Sequence, residues 1–263
     1  TINFPVPRTY CLCEDESIVG TMFYIMDMVD GRILWDPQLP DLPKEGRRPI
    51  FEAKIGTLAA LHNADYKAIG LGDFGKEGEY FERQISRWTK QYQLSETQEI
   101  TSMNKLIDWL PRNIPGNDEV SIVHGDYRLD NMIFAPDNQR VIAVLDWELS
   151  TLGHPYADLA YQCMCMRQPV SRIKNAMSGL GGIDIKALGI PSEEEYVAEY
   201  CQRMGIDGIE NWNFYVAFSM FRMAAIVQGV AKRATLGNAS SDSARQMGTI
   251  VHPLAVMALE LVG

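Results

Sequence analysis

Three side chains rich in oxygen follow one another at telling intervals. Asp126 closes the run His124-Gly125-Asp126, Asn131 comes five residues later, and Asp146 stands another fifteen residues on. Apolar runs, "VSIV" and "VIAVL", lead to the two aspartates. Phosphoryl transfer calls for such a set. It needs a carboxylate near the attacking hydroxyl, metal ions that neutralise phosphate charge, and rigid placement. Asp126 is expected to orient an acceptor hydroxyl and take its proton. The Asn131 amide oxygen and the Asp146 carboxylate are hard ligands of the type Mg²⁺ prefers. Taken singly, each residue could be a turn or cap residue, and the combination argues for chemistry.

Elements must hold these groups in place. Residues 120–124, 131–134 and 141–145 read as short strands, with "APDNQR" as the turn between the last two. The hairpin then brings Asn131 and Asp146 to one edge. Upstream, residues 17–29 read as two strands or a hairpin turning at Gly20-Thr21, and "CLCEDES" as a loop. Residues 30–49 carry four prolines and read as a loop, and the pattern beyond them is mostly helical. Apolar spacing predicts helices over 50–63 and 79–93. Ser95 with Gln98 suggests a capping box opening the next helix, whose stripe is Ile100, Met103, Ile107 and Leu110. Pro191-Ser192 with Glu195 suggests another. Residues 210–235 and 241–260 read as long helices, with Pro253 kinking or restarting the second. "GLGDFG" (70–75) fits a phosphate-binding glycine pattern, but no strand leads into it, so a loop between helices is expected.

Bulk properties narrow the partners. The chain has 263 residues and a formal net charge of -10, which disfavours nucleic acid and anionic membrane. Gly46-Arg47-Arg48 is too short a basic cluster to reverse that. Five cysteines lack disulfide or zinc spacing, so buried or half-buried free thiols are expected. No apolar run reads as long enough to span a bilayer, since Arg222 and Gln228 interrupt the best candidate. A cytoplasmic protein is the expectation. Among the histidines, His62 and His252 read as core residues on helical faces, and His154 as shaping the turn before Pro155.

"VHGDYRLDNMIF", "VIAVLDWE" and "HPYADLA" together resemble the aminoglycoside phosphotransferase family, a branch of the protein-kinase-like fold. "LAALH" (58–62) is similar to its first large-lobe helix. "FYIMDMVDGRI", "RQISRWTKQY" and "VIAVLDWELSTLGHP" resemble more narrowly the kinase domain of acyl-CoA dehydrogenase family members 10 and 11 and its stand-alone bacterial relatives. The resemblance implies an α+β fold. A small β-rich N-lobe ends at residue 29, and a large, mostly helical C-lobe spans 30–263.

It also implies ATP and Mg²⁺, with adenine against a hinge at Met26, Asp27 and Met28. Asp158 would brace the catalytic loop, which His124 holds through hydrogen bonds. Arg128 stands where protein kinases carry a lysine and could touch the transferring phosphate. Glu148 could help a second metal or cap a turn. The implied acceptor is a hydroxyl of a hydroxyacyl-CoA or hydroxy acid, with an acyl-CoA dehydrogenase as functional partner. No lysine precedes Lys44 and Gly20 is the one glycine before the hinge, so the small lobe is expected to be incomplete through truncation. Two rivals stand beside this reading: a non-catalytic binding or docking module, and an aminoglycoside- or choline-type kinase.

Overall fold

Helices built on three small antiparallel sheets make up the α+β chain. The computed structural model describes residues 3–171, 178–235 and 246–263. Strand β1 (Thr9–Cys13) pairs with β2 (Phe23–Met26). Strand β3 (Ser121–Val123) pairs with β6 (Thr151–Gly153), and β4 (Met132–Phe134) with β5 (Val141–Val144). The helices are α1 (Lys44–His62), α2 (Tyr80–Ser95), α3 (Thr101–Trp109), α4 (Tyr156–Arg167), α5 (Ile185–Leu188), α6 (Glu193–Met204), α7 (Trp212–Thr235) and α8 (Val251–Glu260).

The N-terminal hairpin departs from its sequence pattern. Its first strand lies in "TYCLC", and residues 17–20 fall in the connection to β2. Thus the first three residues of the presumed loop "CLCEDES" pair across to Ile25, Tyr24 and Phe23. The strand was hidden because its pattern is exposed almost throughout, with Tyr10, Leu12, Tyr24 and Ile25 all on the surface. Without one buried face, a strand loses its alternation. After β2 the chain runs on to the β4–β5 sheet, where Arg32 and Phe134 exchange backbone hydrogen bonds of 2.8 and 2.9 Å. Gly31 permits that approach, since a Cβ there would meet the Phe134 carbonyl oxygen at 2.5 Å. The segment before β1 joins the same sheet: the Val144 amide donates to the Pro5 carbonyl at 2.8 Å.

Helix α1 begins within the presumed loop and carries Pro49 inside it. A proline there forfeits one helical hydrogen bond. Packing offsets the loss, because Ile50, Phe51, Ile55 and Leu58 are all buried. Ser95 does not open α3. It ends α2, where its hydroxyl donates to the Gln91 carbonyl at 2.8 Å. Helix α3 starts from Ile100 with no side-chain cap. The Ser192–Glu195 capping box does open α6, and "GLGDFG" lies in the loop between α1 and α2. Pro253 sits in the first turn of α8, and residues 241–245 of that presumed helix lie outside the described residues.

Helix α7 is the spine, packed on α2, α4 and α8. By length and composition Trp212–Ala234 could cross a membrane, contrary to the reading that no run was long enough. Its most apolar window is 83% buried by neighbouring helices, which accounts for the apolarity. Arg222 and Gln228 are buried on it. The five cysteines are free, and Cys11 is exposed rather than buried or half-buried. His252 is also exposed rather than in the core.

Candidate active site

A tight turn between β3 and the Leu129–Asn131 helical turn carries His124, Gly125 and Asp126. Asp158, buried at the start of α4, braces it from below. Its carboxylate accepts from the His124 and Gly125 amides at 2.6 and 2.9 Å. Burial works to raise the Asp158 pKa, but His62, 3.5 Å away, and His124 hold it below the ordinary value. His62 is fixed in turn by the Tyr200 hydroxyl at 2.7 Å. The His124 ring meets the Leu145 carbonyl through Nε2 at 2.8 Å and the Asp126 amide through Nδ1 at 3.2 Å. Only the neutral tautomer protonated on Nε2 satisfies both, so His124 ties the loop to the end of β5. Gly125 has φ +82, and a Cβ there would lie 2.5 Å from the Leu149 carbonyl oxygen.

The loop presents Asp126 half-buried. Its Oδ1 accepts from the Tyr161 hydroxyl at 2.8 Å, and its Oδ2 from Asn131 Nδ2 at 3.1 Å. Asn131 also donates to the Asp126 carbonyl at 2.9 Å, leaving its amide oxygen without a partner among the described residues. Arg128 Nε lies 3.5 Å from Asp126, while its Nη2 pairs with Asp130 at 2.6 Å. Desolvation would lower the Arg128 pKa, yet Asp126 and Asp130 raise it overall.

Strand pairing brings the second carboxylate close in register. Met132 faces Val144, and the Leu145 amide donates to the Asn131 carbonyl at 2.9 Å. Asp146 follows, exposed, with φ +65. A non-glycine residue in that region stores strain of the kind that gathers at functional sites. Glu148 is exposed two residues on. Among the described residues no cluster of three or more His, Cys, Asp or Glu forms a metal cage. Asn131 and Asp146 instead fit Mg²⁺, which binds through one or two carboxylates with waters and substrate phosphates. The presumed hinge runs off β2. Met28 is 95% exposed, and Asp27 is tied to β1 through its amide to the Arg8 carbonyl and through the Tyr10 hydroxyl.

Residues 1–196 match the phosphotransferase enzyme family, APH. The chain belongs to that family. A crystal structure from Ralstonia eutropha JMP134, named as a candidate aminoglycoside phosphotransferase, is 52% identical, with a TM-score of 0.92 over 98% of this chain and 78% of that one. Aminoglycoside phosphotransferase APH(4)-Ia, solved with AMP-PNP and hygromycin B, is 14% identical with a TM-score of 0.63 over 100% of this chain and 79% of that one. At that identity it shows the shared protein-kinase-like fold. The mouse acyl-CoA dehydrogenase family member 10 is 49% identical over 97% of this chain and 24% of its own length. Human family member 11 is 45% identical over 99% and 33%. The chain therefore spans a third or less of these curated relatives.

Several residues of the APH site carry no mark in the sequence. Arg222, buried on α7, donates from Nη2 to the Gly125 carbonyl at 2.5 Å. Its guanidinium lies 5.5 Å from the Trp88 ring centre and 5.4 Å from that of Tyr161. It looked like an interruption in an apolar run. His62 looked like a core histidine, and it buttresses Asp158. Arg83, on the α2 segment with Trp88 and Gln91, caps the preceding loop through the Lys76 and Gly78 carbonyls. The partners of Arg222 and His62 come from distant parts of the chain, so no local spacing announces them.

Proposed function

We propose that this chain transfers the γ-phosphoryl group of ATP to a hydroxyl of a small molecule. The carrying observation is the Asp126 carboxylate. Two hydrogen bonds fix it on a loop that Asp158, His124 and Arg222 hold rigid, with Asn131 and Asp146 at the adjacent sheet end. Asp126 orients the acceptor O–H and takes its proton as the acceptor oxygen bonds to the γ-phosphorus, and the bond to the ADP oxygen breaks. Mg²⁺, held by Asn131 and Asp146 with Glu148 nearby, would supply neutralisation of phosphate charge. Arg128 adds a cation beside Asp126. Met26, Asp27 and Met28 offer backbone to the adenine. The acceptor proposed is of the hydroxyacyl-CoA or hydroxy acid class, with an acyl-CoA dehydrogenase as functional partner, a choice suggested by relatives named as acyl-CoA dehydrogenases.

The rival reading is a binding module without turnover. Calorimetric titration with Mg·ATP separates the readings, beside Asp146→Ala and Asp126→Asn. The transferase reading expects binding that Asp146→Ala abolishes and Asp126→Asn spares. Turnover should fall about 10²–10⁴-fold in Asp126→Asn. Absence of Mg·ATP binding to the folded wild-type chain would rule the transferase reading out.

A further inference from the structure

Helices α2 and α7 meet along a groove of about 680 Å³. Arg87 and Lys90 line it from α2, and Lys232 and Arg233 from α7. Among the described residues no carboxylate lines it, on a chain whose net charge is -10. Arg87, Lys90 and Arg233 are exposed, and no ion pair to them forms among the described residues. Lys232 donates to the Leu94 carbonyl at 2.7 Å, which ties the end of α2 to α7. Gly229 is buried at the floor of the groove. A Cβ there would lie 3.5 Å from Gln91 Nε2 and 3.7 Å from Arg233 Nη1. An amide and a guanidinium from different helices thus converge on one point that glycine leaves open.

Attraction to the helix dipole accounts for Lys232 and Arg233, which stand in the last turn of α7. It does not account for Arg87 and Lys90, because α2 carries no basic residue in its last turn. Like charges facing across a groove repel, and an anion between them removes that cost. We propose that this groove binds a diphosphate group, apart from the site of phosphoryl transfer. A monovalent anion would leave most of the four cations unbalanced, whereas a diphosphate offers several charges and oxygens in a compact body. Arg87 and Arg233 suit it, because a guanidinium pairs with phosphate oxygens in bidentate fashion. The diphosphate is either free or carried by a nucleotide, and the same chemistry recognises both. Neither Asp126 nor Asp146 lines the groove, so the inference does not depend on the transferase reading.

The test is calorimetric titration of the full chain with inorganic diphosphate and, separately, with ADP, in EDTA at low ionic strength. Without a divalent metal, Asn131 and Asp146 have no ion through which to hold phosphate. Asp146→Ala should therefore bind diphosphate as the wild type does. Lys90→Gln and Arg233→Gln should each weaken binding about tenfold. Gly229→Ala places a methyl where the donors converge. It should weaken binding without lowering the unfolding midpoint, since alanine suits a helix better than glycine. Affinity should also fall as salt rises. Parallel losses of ADP binding in these variants would support a nucleotide-borne diphosphate, and binding of inorganic diphosphate alone a free one. No diphosphate binding to the wild type, binding untouched by Lys90→Gln and Arg233→Gln, or loss of binding in Asp146→Ala would each overturn the proposal. So would tighter binding of a hexaglutamate peptide, which would make the groove a protein-docking surface.

Discussion

Arg222 shows how one side chain governs another through backbone. It touches neither Asp126 nor the sheet that ends in Asp146, yet it holds the Gly125 carbonyl one residue before Asp126. Two aromatic faces, Trp88 and Tyr161, fix its plane. Arg222→Met keeps the apolar contact and deletes the hydrogen bond, leaving a buried carbonyl unpaired. Stability should fall by about 1–3 kcal/mol in urea unfolding. If Asp126 is the base of the proposed transfer, turnover should drop about tenfold while the KM for ATP stays within twofold, since a misplaced base costs rate rather than nucleotide affinity. An unchanged turnover number would show that Asp158 and His124 hold the loop unaided.

At the scale of elements, the start of α4 couples the site to pH. His154 is buried there among Phe81, Tyr156 and Tyr215. Burial pushes its pKa down to about 4. The unfolded chain therefore binds a proton that the folded chain refuses between pH 6.5 and about 4. Stability from this group is full above pH 6.5 and is lost as pH falls toward 4. Between pH 7 and pH 4.5 the loss should be about 2–3 kcal/mol. His154→Phe should flatten that part of the profile in urea titrations at stepped pH. Asp158 acts below that window. Its lowered pKa means its contribution is present above its ordinary value of 3.8 and fades as pH falls through the folded value. A profile unchanged by His154→Phe would place the acid sensitivity elsewhere.

The whole molecule is uneven in its packing. Helix α7 is enclosed by α2, α4 and α8, whereas the β1–β2 hairpin exposes large apolar side chains along both strands. A two-stranded hairpin without a covered face is marginal by itself. Native-state hydrogen exchange should separate the two. Amides in the middle of α7 should exchange only through global unfolding, and those of β1 and β2 through local opening at least a hundredfold faster. Equal protection would mean that the hairpin unfolds only with the helical body.

The sequence alone carried the chemistry-bearing core of this site. His124-Gly125-Asp126, Asn131 and Asp146 lie within 23 residues at the ends of three short strands, and the register of the β4–β5 hairpin juxtaposes Asn131 and Asp146. The Ser192 capping box was legible for the same reason, because its partners are three residues apart. Strand β1 and the first turns of α1 were not. The hairpin buries no face that would print an alternation, and packing of Ile50 and Phe51 outweighs the penalty of Pro49. Tertiary structure alone decided the bracing of the loop. His62 and Arg222 come from α1 and α7, and each looks ordinary in its own helix. Their meaning lies in burial and in which partner each one has or lacks, and those are settled only when distant helices close on one another.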